Sequence, residues 1–331
     1  MHYSNSHNAL KNIYCMPSVT VRSKNNPNIV YTYDLDNLIF DRSHLAMAFV
    51  GKQMRNGYSF DVIIQTYDFS MASEILYQKL QCTIVNSAPK IQNPVIDVFF
   101  EDTPSNSGGI IYLIREYHQE ITLEDFLLGK NLNNFSDTQK QLFQNLNSHD
   151  RSKVASDITM GVLTEVQYLN NLGICNIDIH PSAVLVDSEC KIELMDFGIT
   201  KFLERENYDN KYVCHPRTFI SPEYAAPEIV LGDIIHQKPQ TDVYAIGILY
   251  FLLITGDLPF KGKLYEVLQS QLRESIPFKQ ITHPTIKAII KKATEKDIKK
   301  RFDSCSHFIA AIEAIDFAKK NQHSWWQKIF K

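Results

Sequence analysis

The chain has 331 residues, 44% of them hydrophobic, and a formal net charge of -3. That is enough apolar side chain for one large domain or two lobes, and it excludes wholesale disorder. The balanced charge argues against nucleic acid as a partner, and six scattered cysteines with no CxxC pair argue against a zinc site or a disulfide framework. The N-terminus has no apolar core of signal-peptide type, and the most apolar run, Val243 to Thr255, is too short to span a bilayer and reads as a buried helix. A cytoplasmic protein is expected.

Residues 1–31 are rich in Asn, Ser and Lys and predict a flexible extension. Strands are expected at 36–40, 45–53 and 58–66, with Asn56-Gly57 as the hairpin signal between the last two. Residues 73–80 have helical period. Two more strands, 95–101 and 110–116, flank a turn-rich stretch. Residues 131–150 read as a long loop or partly helical connector. An amphipathic helix is expected over 152–172, with Ile158, Val162, Leu163, Val166 and Leu169 at helical spacing and Gly173 as its stop. Further helices are expected at 264–273 and 284–294. The tail places Trp325, Trp326, Ile329 and Phe330 on one helical face beside lysines, suited to packing on the domain or to docking on a membrane surface or partner.

The chemistry concentrates between Asn176 and Gly198. Two short apolar runs, each next to an aspartate, read as a hairpin turning at Asp187-Ser188-Glu189. Such a hairpin can bring Asp178 and Asp196 to one rim. One carboxylate can take a proton from a hydroxyl while the other holds a divalent cation on a phosphate.

This stretch resembles the catalytic loop and Asp-Phe-Gly segment of protein kinases, read here as Asp178 and as Asp196-Phe197-Gly198. The likeness continues in order from about Leu35 to Ile315. Val62-Ile63-Ile64-Gln65 is similar to the Val-Ala-Ile-Lys strand, Ala226-Pro227-Glu228 to the Ala-Pro-Glu motif, and Thr241-Asp242 to the start of the central large-lobe helix. The large-lobe text looks closest to bacterial, eukaryotic-like Ser/Thr kinases. The resemblance implies an α+β, bilobal protein-kinase-like fold: a small antiparallel β lobe with helix C over 32–117, a mainly helical large lobe over 118–320, and a Trp-rich tail over 321–331.

The resemblance also implies roles. Asp178 takes the catalytic-base position, Asp196 the metal position, and Ser221 that of the threonine closing the activation segment. Glu74 takes the helix-C glutamate position, Arg115 the gatekeeper, Glu116 and His118 the hinge. Asp242 braces the catalytic loop, and Glu228 forms a buried pair with Arg301. The departures fall on cations, glycines and a metal ligand. Gln65 replaces the phosphate-pairing lysine, His180 the catalytic-loop lysine, Ala183 the metal-binding asparagine, and Asn176-Ile177 the His-Arg pair, while Asp41 to Phe49 contains no glycine.

Two functions follow from the resemblance. One is a pseudokinase that binds protein partners. The other is an ATP- and Mg²⁺- or Mn²⁺-dependent Ser/Thr kinase or other nucleotide transferase built on Asp178 and Asp196. Positioning and electrostatics are most of what a kinase contributes, so losing several charged contacts favours the first. Arg115 is expected in the adenine and phosphate cleft, paired with Glu74, Asp196 or both, because two carboxylates without a lysine are costly to desolvate. Phe49 is expected to fill the same cleft, with Lys52 pointing away from it by strand alternation.

Overall fold

The computed structural model describes residues 18–42, 46–68, 78, 95–102, 108–148, 151–171, 175, 178–195, 221–232 and 238–315. The chain divides into two compact units, Met1–His118 and Gln119–Lys331.

The first unit is a six-stranded antiparallel sheet of order β1-β2-β3-β4-β6-β5. Its strands are β1 (Ser18–Arg22), β2 (Ile29–Arg42), β3 (Ala46–Arg55), β4 (Tyr58–Asp68), β5 (Val95–Asp102) and β6 (Gly109–Glu116). Asn56 and Gly57 both take positive φ, as a two-residue hairpin linking β3 to β4 favours. At Gly51 a Cβ would meet the Thr32 carbonyl oxygen at 2.6 Å, so β2 and β3 approach there as only glycine permits.

The expected flexible extension over 1–31 is corrected in its second half. Residues 18–31 belong to the sheet, with Val21 paired to Tyr31. The polar run between them makes a turn: Ser23 Oγ accepts from the N–H groups of Asn25 and Asn26, and the Ile29 N–H donates to Asn26 O. Composition that reads as disorder here supplies turn chemistry.

One face of this sheet encloses an aromatic core of Tyr31, Tyr33, Phe49, Phe99 and Tyr112, with Val62, Ile64 and Ile114. Phe99 stacks on Tyr112 at 4.9 Å and on Tyr31 at 5.8 Å. Buried phenols need partners. The Tyr31 hydroxyl donates to Asp97 (2.9 Å) and accepts from Gln53, and the Tyr112 hydroxyl donates to Glu101. Burial pushes both phenols well above their ordinary pKa, which keeps them neutral donors. Asn25 Nδ2 donates to Asp97 Oδ1 and to Val98 O, each at 2.7 Å, and ties the β1–β2 turn to the far strand β5.

The second unit holds a small sheet of order β7-β8-β9 and eight α-helices among the described residues. The strands are β7 (Ile121–Thr122), β8 (Val184–Val186) and β9 (Ile192–Leu194). The helices are α1 (Leu123–Leu128), α2 (Asp137–Leu146), α3 (Arg151–Asn171), α4 (Pro227–Val230), α5 (Pro239–Thr255), α6 (Leu264–Arg273), α7 (Pro284–Ala293) and α8 (Cys305–Glu313). The polar connector over 131–150 contains α2, started by a capping box between Ser136 and Gln139. The hairpin expected at Asp187 forms: Asp187 Oδ1 takes the N–H groups of Glu189 and Lys191, and Cys190 turns the chain at positive φ.

Helix α5 is apolar on all sides and is the centre of this unit, packed by α3, α7 and α8. A Cβ at Gly247 would lie 2.7 Å from Thr294 Cγ2, so α5 and the end of α7 pack backbone against side chain. No helix among the described residues is long and apolar enough to cross a membrane.

Candidate functional site

Residues paired directly across antiparallel strands project to the same face. Gln65 on β4 pairs with Ala48 on β3 and with Leu113 on β6, and Ile63 pairs with Val50 and Arg115. Gln65, Ile63, Ala48, Leu113 and Arg115 therefore share one face. Gln65 is 2% exposed and Arg115 0%, the largest fully buried side chain among the described residues. Arg115 does not run out to water. The two carboxylates expected to meet it, Glu74 and Asp196, lie outside the described residues.

Phe49 is a correction. It pairs with Ile64, and its ring lies 4.7 Å from that of Tyr33, inside the aromatic core on the opposite face. Residue 49 is one step out of phase with the expectation, and small Ala48 lies opposite Gln65 instead. Lys52 is corrected with it: it shares the parity of Ala48 and Gln65. It is spent at the other end of the hairpin, in an exposed pair with Asp61. Glu116 and His118 form a solvent-exposed pair, 3.5 Å apart.

The described residues of this face offer a nucleoside triphosphate no open surface. Ala48, Ile63, Leu113 and Arg115 have no exposed surface, and Gln65 brings no charge for a phosphate. The guanidinium nearest the family's lysine position presents nothing to a ligand.

In the second unit, the loop before β8 and the segment before α4 meet at Asp178. The backbone N–H of Ser221 donates to Asp178 Oδ1 and its hydroxyl to Oδ2, both at 3.1 Å. His180 Nε2 stands 3.6 Å from Asp178 Oδ2, so an imidazole occupies the place of a fixed cation. Ala183, at the position of a metal-binding asparagine, is a buried side chain with no donor atom. Asp196 lies outside the described residues, and no group of three His, Cys, Asp or Glu among the described residues is arranged to hold a metal. Beside Asp178 lies a cavity of about 600 Å³ whose walls include Glu124, Leu127, His180, Ser221, Glu223 and Tyr224. Ser182 Oγ donates to Glu124 there at 2.6 Å.

Behind this site, Asp242 is buried at the start of α5 and accepts from Asn170 Nδ2 at 2.9 Å. Residues 176 and 177 of the loop that it is expected to brace lie outside the described residues. Glu228 and Arg301 form the expected pair, a two-pronged one at 2.7 and 2.8 Å, with the Arg301 side chain fully buried. Arg301 also donates to Gln240 O and Glu295 O and covers the Tyr244 ring at 4.8 Å. Sequence reasoning missed Gln271, Tyr244 and Lys296, which join this region from behind. The available signal was Gln271 itself, an amide four residues after Val267 on the buried side of α6. The tail residues Trp325, Trp326, Ile329 and Phe330 lie outside the described residues.

A curled antiparallel small unit, a helical large one, a carboxylate gripped by the segment before Ala-Pro-Glu, and a buried Glu–Arg brace define the protein kinase architecture. Residues 98–313 match the protein kinase domain family, and the chain belongs to that family. It is 29% identical over 206 residues to a probable serine/threonine-protein kinase PknB of Lactococcus lactis, a match covering 61% of this chain and 29% of that one. It is 24% identical over 269 residues to the serine/threonine-protein kinase PrkC of Bacillus subtilis, covering 79% and 38%. A plant relative, the serine/threonine-protein kinase AtPK1/AtPK6 of Arabidopsis thaliana, is 30% identical over 179 residues, covering 54% and 35%. The matches thus span between 29% and 38% of these relatives' length.

Proposed function

We propose that this protein is a catalytically impaired member of the kinase family, a pseudokinase whose work is to bind protein partners in the cytoplasm as a regulatory or scaffold module. One observation carries the reading: Arg115 is wholly buried on the face where Gln65 replaces the lysine. A kinase uses that lysine to neutralise phosphate charge. Here the amide is neutral, and the nearby cation offers no surface to a ligand. His180 and Ala183 remove two further positioning groups, and each such loss costs on the order of 100-fold in rate.

A second reading is favoured by the grip of Ser221 on Asp178. That geometry orients a carboxylate as a proton acceptor, as an ATP- and metal-dependent Ser/Thr kinase or other nucleotide transferase needs. ATP, with Mg²⁺ or Mn²⁺ at Asp196, would then be its cofactor.

A thermal-shift titration with ATP, alone and with each metal ion, separates the two. The first reading expects an unmoved melting temperature in every arm. A metal-dependent rise would overturn it and leave the second.

A further inference from the structure

The segment bearing Ser221 is held from behind by α6. Gln271 has no exposed surface. Its Nε2 donates to the carbonyl of Glu223 at 2.6 Å and to that of Pro222 at 3.2 Å. Its Oε1 accepts from the Tyr244 hydroxyl at 2.7 Å. That hydroxyl accepts in turn from Lys296 Nζ at 2.8 Å. The same ammonium donates to Gln271 O at 2.7 Å and lies over the rings of Phe260 and Tyr244.

The chemistry gives this chain of bonds one direction. An ammonium has donors only, so the Tyr244 oxygen must accept from it. The single phenol hydrogen then goes to Gln271 Oε1, and the amide NH₂ is left facing the two carbonyls. Turning the amide over would set its oxygen against two others. Burial, and after it Arg301, pulls the Lys296 pKa down to about 8 against the opposing effect of Glu274, so the ammonium form prevails at neutral pH. The Pro222 and Ser221 carbonyls, meanwhile, accept the N–H groups of Ala225 and Tyr224 and close the turn.

We propose that Gln271 is a positioning residue for the segment Ser221–Tyr224: its amide, oriented by Tyr244 and Lys296, fixes the turn from which Ser221 grips Asp178. The role is independent of whether nucleotide binds. It places the support of this segment on α6.

Gln271→Glu is the decisive variant. It keeps the acceptor for Tyr244 and gains a charge opposite Lys296, but turns oxygen toward the carbonyls of Pro222 and Glu223. Hydrogen exchange by mass spectrometry on the full chain at pH 7 reads the outcome. Exchange over 221–226 should rise about tenfold or more, and by more than it does over α3 or the β8–β9 hairpin. Gln271→Leu should show the same local rise. A residue that merely filled the core would leave 221–226 no faster than its surroundings, and that result in both variants overturns the proposal. Should both unfold, Tyr244→Phe decides: it keeps the ring beneath Arg301 and removes the donor that holds Gln271 Oε1, so unchanged exchange over 221–226 refutes the assignment.

Discussion

Arg115 and Gln65 stand on one face of the small unit's sheet, diagonal neighbours on adjacent strands, with the cation on β6 and the neutral amide at the position where kinases carry a lysine. A buried guanidinium is costly without partners, so the surroundings of Arg115 must have adapted to it. Arg115→Met should destabilise the protein by roughly 1–3 kcal/mol, because the contacts of a wholly buried side chain are lost. Gln65→Lys combined with Arg115→Met returns a cation to the family's strand and should recover part of that loss. Urea denaturation followed by circular dichroism measures both, and fluorescent ATP titration of the double variant should show tighter binding than the parent's.

Ser221→Ala removes the hydroxyl bond to Asp178 and leaves the backbone one. A hydrogen bond to a charged group is worth about 1.5–3 kcal/mol, and the half-buried setting places this one at the lower end. Ser221→Thr retains the hydroxyl and should match the parent in urea. Equal midpoints for Ala and Thr would mean that the backbone N–H alone holds the segment.

Glu228→Ala leaves Arg301 buried beneath α5 without its two-pronged partner, and should cost roughly 3–5 kcal/mol. Glu228→Gln keeps one acceptor and should fall between. The ordering parent, Gln, Ala in urea midpoint is the check.

Lys296 gives a pH dependence of fixed sign. Its folded pKa, about 8, lies below the 10.5 of the ordinary lysine. Below pH 8 both folded and unfolded chains hold the proton, and the folded state bears the full penalty of the buried charge. Between 8 and 10.5 the unfolded chain binds more protons, so this group's contribution makes stability rise with pH, by on the order of 1–3 kcal/mol. Lys296→Met should remove that rise from the urea midpoint measured at pH 7.5, 8.5 and 9.5.

What the sequence made legible was local. Asn56-Gly57 announced its hairpin because two positive-φ residues were written side by side, and Glu228 and Arg301 were found because each sits in a short motif. The face of Phe49 was misassigned although the sequence held the signal: the two-residue turn at Asn56-Gly57 puts Arg55 opposite Tyr58, and the unbroken register from there puts Ala48, not Phe49, opposite Gln65. Strand β1 was missed because five residues beside an Asn- and Pro-rich turn look like a polar tail. The support of Ser221 by Gln271 joins positions about 50 residues apart through a buried amide, and no local pattern encodes such a contact.

The sheet order leaves β1 and β5 as its two edges, and an open edge invites a strand from another molecule. Asn25 blocks part of that invitation. Its side-chain amide occupies the Val98 carbonyl on β5, an acceptor that an incoming strand would need. Asp97 beside it accepts from the same amide and from Tyr31, so a charge bound into the fold also stands on that edge. The turn that closes the small unit thereby guards the protein against edge-to-edge aggregation. A chain shortened to begin at residue 32 would lose this guard together with Val21, Ile29 and Tyr31 of the aromatic core, and would present β2 and β5 as bare templates for self-association.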